Sequence, residues 1–201
     1  MAAVASPYGL RPVNLLGGQV NTGSERRYNI ANSYATSIYY GDVVTLTTGG
    51  TIVKFAGTTG VGAQLPPLGV FMGVEYVDPA SRQLWHRNRW IGGTTVPTGT
   101  NVWAYVLDDP DALFEIQADE AVGQNGIGTN AALVQGSGNA TTGMSAVALD
   151  GDSIADTATL PLRIVDYVDK QGFSALGDTY TDMIVRFNLH FHRSTTGNAA
   201  S

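Results

Sequence analysis

Apolar and polar positions alternate with a period of two along most of the chain, which predicts strands and gives no sustained helical period. The stretch "YYGDVVTLTTGGTIVKF", residues 39–55, predicts a hairpin turning at Gly49-Gly50. A two-residue loop there sets Leu46 opposite Val53 and Val44 opposite Phe55, with Thr45, Thr47, Ile52 and Lys54 on the other face. "PLGVFMGVEYVD" places Leu68, Val70, Met72, Val74 and Tyr76 on one side and Gly69, Phe71, Gly73 and Glu75 on the other. Two glycines on one face predict a bulge, a bend or a close backbone neighbour, as where a sheet curls into a small barrel.

"TNVWAYVLDD" is apolar on both faces and reads as a central strand or one covered by a partner; "ALFEIQAD" follows it as the second arm of a hairpin-like unit. Two late strands are clearer. "ATLPLRIVDYV" points Leu160, Leu162 and Ile164 inward, and "DMIVRFNLHFHR" sends Met183, Val185, Phe187, Leu189 and Phe191 one way and Ile184, Arg186, Asn188, His190 and His192 the other. Residues 119–146 are glycine-rich and weakly patterned, a long connection with room for a short helix near 129–134. The expected organisation is an extended N-terminal arm over 1–27, a single β-rich domain over 28–193 and a flexible tail over 194–201. The fold class is all-β, a small barrel, β-tulip or sandwich of eight or more strands with long Gly-rich loops.

Composition agrees with that reading. The 201 residues hold 25 Gly, 14% charged residues and 43% hydrophobic ones, enough for a sizeable core. Seventeen acidic against eleven basic residues give a net charge of −6, and Lys54 and Lys170 are the only lysines, so general nucleic-acid binding is disfavoured. Without cysteine there is neither a disulfide framework nor a thiolate zinc site. No apolar run approaches the ~18 residues of a membrane span, and the N-terminus has no charged region before an apolar core. A cytosolic product with no membrane partner is expected.

Candidate chemistry is sparse. His190 and His192 alternate on a predicted strand and could share a metal, but His86 is the only other histidine and no carboxylate stands at a fixed offset. "DDPD" at 108–111 and "LDGDSIAD" at 149–156 faintly resemble calcium loops, yet turn formation accounts for both. "SRQLWHRNRW" sets Arg82, Arg87 and Arg89 among Trp85 and Trp90, residue types that anchor protein interfaces or stack bases. Neither a nucleophile elbow nor a phosphate loop is present. No catalytic residue, metal site or cofactor is assigned, and the protein is read as a non-enzyme. Arg82, Trp85, Arg87, Arg89, Trp90, Arg186, His190 and His192 are the candidate interface.

Taken together, "SPYGLRPVNLLGGQ", "YATSIYYGDVV", "GVFMGVEY", "DDPDALFEIQAD", "GSGNATTGMSAVALD" and "VRFNLHFH" resemble head structural proteins of tailed bacteriophages. "GDVVTLTTGGTIVKFAG" followed by "LGVFMGVEY" is more loosely similar to lambda-like head decoration proteins. The resemblance implies a capsid decoration or cement protein, a homotrimer made in the host cytoplasm that binds the major capsid protein on the virion exterior. It also implies an N-terminal arm that completes a sheet of the shell. On this chain Tyr8, Leu10, Arg11, Leu15 and Leu16 would be the anchors, and deleting residues 1–20 should leave a folded protein that no longer binds shells. The competing readings are a tail, fibre or vertex protein and, from another class, a metal-dependent β-barrel enzyme or carbohydrate-binding domain using His190 and His192.

Overall fold

The structure, a computed structural model, describes residues 4–56, 66–170 and 174–194. Fifteen strands carry the fold: β1 (Arg11–Leu15), β2 (Glu25–Ile30), β3 (Ile38–Tyr39), β4 (Val43–Leu46), β5 (Thr51–Lys54), β6 (Pro67–Val77), β7 (Leu84–Arg87), β8 (Arg89–Trp90), β9 (Val102–Leu107), β10 (Ala112–Gln117), β11 (Asn130–Ala131), β12 (Leu133–Val134), β13 (Ala148–Leu149), β14 (Leu162–Tyr167) and β15 (Asp182–Phe187). The helical residues among those described are two 3-10 turns, Gln124–Gly126 and Phe191–Arg193. The all-β reading holds.

Strands β4, β5, β2, β9 and β6 close on one another as a barrel, because β4 pairs with both β5 and β6; β7 extends the sheet beyond β6. All these pairings are antiparallel except β2 with β5. Ile30, Val44, Ile52, Leu68, Phe71, Val74, Val102, Ala104 and Val106 fill the barrel, joined by Trp90 and Tyr76. A second sheet, in the order β1-β10-β15-β14-β11, lies against the barrel wall. Its inner face (Phe114, Ile116, Leu162, Ile164, Met183, Val185, Phe187) shares one apolar cluster with Val43, Phe55, Val70 and Leu107 of the barrel. Strand β6 is thus buried on both faces over its apolar first half, Pro67–Phe71.

Several expectations are corrected. The hairpin register is Leu46 with Ile52 and Thr45 with Val53, one residue away from the predicted one. Its loop holds three residues, with Gly50 at φ +74°, so the β5 side chains exchange faces and Ile52, not Val53, enters the barrel. β9 and β10 are not a hairpin: the acidic turn between them hands the chain from the barrel to the second sheet. Residues 129–134 are extended as β11 and β12, not helical. The last strand ends at Phe187, and His190 and His192 sit at a 3-10 turn.

The N-terminal arm is corrected most. Its described part is docked on the body: β1 pairs with β10, Leu10 is fully buried, and residues 25–27 already belong to barrel strand β2. The physical reason lies in contacts with distant parts of the chain. Tyr8 and Leu10 have partners within the fold, and Gly9, at φ +77°, brings the backbone so close to Gly41 and Ser145 that no side chain fits. Beyond Ser194 the tail lies outside the described residues.

Candidate functional site

The outer face of the second sheet and the edge beside it gather the most chemistry. Alternation places Glu115 and Gln117 of β10 with Asp182, Ile184 and Arg186 of β15 and Arg163 of β14 on this face. Arg11 of β1 stands opposite Glu115. The face therefore brings together Tyr8, Arg11 and Arg186 from the sequence candidates.

One half of the face is neutralised. The Tyr8 hydroxyl donates to Glu115 Oε1 at 3.1 Å and to Asp182 Oδ1 at 3.0 Å, and Lys170 Nζ bonds Glu115 and, at 3.3 Å, Asp182 Oδ2. Burial, followed by the two carboxylate charges, holds the Tyr8 phenol well above the ordinary tyrosine range, so it stays a donor. The Arg11 guanidinium lies 3.9 Å above the Tyr8 ring. Sequence reading overlooked Glu115, Asp182 and Lys170; Glu115 stands 55 residues before Lys170, and a pairing across strands has no local signature.

Along the sheet edge the chain leaves apolar side chains in water. Leu15 packs inward, but Leu16 is 46% exposed, and the turn after it returns through an Asn14–Val20 bridge with Val20 75% exposed. Val4 and Val13 are exposed on the same N-terminal segment. Leu15 N–H to Gln19 O, Gly18 N–H to Leu15 O and Leu16 N–H to Asp111 O tie this turn to the body, so the side chains are presented on a braced support.

The histidines form a separate cluster. Asp108, almost fully buried, accepts from the Tyr28 hydroxyl at 2.6 Å, lies 2.8 Å from His192 Nε2 and 3.4 Å from Arg26 Nη1. Burial and then Asp108 push the Tyr28 phenol up to about 12. His190, 2% exposed, accepts the His192 backbone N–H at Nδ1; its Nε2 has no partner among the described residues. Burial first, then the neighbouring His192, lowers His190 to about 4. The two rings are 5.4 Å apart, but one nitrogen of each is already engaged, and among the described residues no group of three or more His, Asp or Glu is placed to hold a metal. His86 lies elsewhere, beside Glu75.

The Arg/Trp segment does not form one patch. Trp90 is buried in the barrel core, with Nε1 donating to Tyr34 O, and Trp85 packs edge-on to Tyr76 beneath Arg87. Arg82 is exposed in the turn before β7 at φ +59°, and Arg89 buries one guanidinium nitrogen on β8. The acidic loops are turns: Asp150 caps Ser153 N–H and Asp109 caps Asp111 N–H. A cavity of about 600 Å³ borders Lys54, Phe55 and Gln135, and there Lys54 Nζ is held by Asp42 at 3.0 Å and Gly136 O at 3.2 Å. Comparisons with family models, with curated proteins and with solved structures give no match to this chain.

Proposed function

We propose that this chain is a structural protein of a tailed-bacteriophage virion, a decoration or cement protein that binds the outside of the shell built by the major capsid protein and stabilises it as a homotrimer. The observation that carries the reading is the braced N-terminal edge, where Val4, Val13, Leu16 and Val20 stand in water beside the charged outer face of the second sheet. Apolar side chains held rigid at an edge bury on docking with little loss of conformational freedom. The segment resemblances supply the identity of the partner. In this reading the first residues do not insert into a neighbour as a loose strand; they are a pre-formed contact surface.

The test mixes purified protein with empty shells lacking it and measures co-sedimentation. Wild type should bind with a copy number in the range of the shell subunits. Burying Leu16 and Val20 is worth ~1.5–3 kcal/mol each, so Leu16→Asp combined with Val20→Asp should weaken binding about 100-fold or more while leaving the thermal midpoint unchanged. Failure of wild type to bind, or a copy number in the range of one vertex, overturns the shell reading. Unaltered binding by the double variant removes this edge from the contact.

A further inference from the structure

Two arginines on the same outer sheet face have no counter-ion among the described residues. Arg163 of β14 and Arg186 of β15 are direct cross-strand partners, and both are half-buried. Side chains so opposed have Cβ atoms ~4.5–5.5 Å apart, where like charges destabilise a sheet. Arg163 Nε donates to Asn130 Oδ1 at 3.0 Å, which fixes that guanidinium and leaves its outer N–H groups without a partner among the described residues. Among the described residues no carboxylate lies within ion-pair distance of either arginine.

The contrast with the surroundings is what gives the pair meaning. Lys170 and Arg193 have carboxylate partners, and Arg11, Arg27 and Arg87 lie over aromatic rings; Arg82 and Arg89 have neither among the described residues, but no second cation stands opposite them in a strand pair. In a chain of net charge −6, carboxylates are plentiful, yet none answers Arg163 and Arg186. Each guanidinium is a planar fork of five N–H donors that matches two oxygens of a carboxylate or phosphate. Two forks rising from opposed positions on one sheet face can share a single oxyanion, which cancels their repulsion.

We infer that Arg163 and Arg186 form an oxyanion-binding site, whose ligand is a phosphoryl or carboxylate group brought from outside the chain. The inference rests on the sheet register and stands apart from the shell-binding reading; either can fail alone. The experiment is thermal unfolding of the full chain in chloride buffer, with sodium phosphate or sodium acetate added at matched ionic strength. Once phosphate exceeds its dissociation constant about tenfold, the wild-type midpoint should rise by about 3–6 °C. Arg186→Gln should abolish that rise and, with the repulsion gone, should not lower the midpoint in chloride alone. Arg186→Glu should raise it there by supplying the missing partner.

A rise with phosphate alone supports the site and assigns a phosphoryl ligand; a rise with acetate as well supports it and assigns a carboxylate. No rise with either anion, or an equal rise in wild type and Arg186→Gln, as general ion exclusion would give, overturns it. Calorimetric titration of wild type with phosphate tests the same point without any variant, and absence of binding heat together with an unmoved midpoint overturns it as well.

Discussion

At the scale of the residue, His190 makes the sharpest prediction. Its Nδ1 accepts a backbone N–H, so the ring proton sits on Nε2, where no acceptor waits among the described residues. A second proton would add buried charge against His192 and Arg193, which Asp108 and Asp109 only partly offset. The folded imidazole titrates at about 4, below the ~6.5 of an unfolded chain, so in that window the unfolded state binds the proton first. The stability that His190 contributes is whole above pH ~6.5 and shrinks as pH falls towards 4, by up to about 3 kcal/mol. Urea unfolding at several pH values should show wild type losing more stability across this window than His190→Leu. Parallel curves would show that the ring is not buried as described.

At the scale of the element, glycines and turns decide what was legible. Gly69 and Gly73 announced a curled strand in the sequence, and β6 bulges between Phe71 and Gly73 in its pairing with β9, where its other edge passes from β4 to β7. A Cβ at Gly69 would overlap the Leu107 carbonyl oxygen. Gly69→Ala should therefore cost about 3 kcal/mol, read as a lower urea midpoint, whereas a near-neutral result would mean that β9 can move aside. The inward residues of β14 and β15 were readable because one face of each strand meets a single core. The hairpin register was not readable, because a loop of three residues in place of two exchanges the faces of β5 and leaves the composition of both strands unchanged. The partners of Tyr8 and the Arg163–Arg186 opposition depend on strand order, which no local pattern encodes.

At the scale of the whole molecule, the N-terminal segment is part of the core and not an appendage. Ser6 N–H bonds Gln117 Oε1, Leu10 packs between sheet and barrel, and Tyr8 reaches Asp182. Deleting residues 1–15 should thus lower stability by at least the ~2–5 kcal/mol of a lost buried leucine, measured by denaturant unfolding. A truncated chain as stable as the intact one would restore the independent arm read from the sequence. The same architecture governs synthesis. β15 occupies the middle of its sheet although it follows every other strand of that sheet in the chain, and β1 waits for β10, Arg11 pairing with Glu115. A ribosome-bound chain therefore carries unmated edges until β15 has left the exit tunnel, so the emergence of that strand, not of any earlier segment, sets the moment at which this sheet can close.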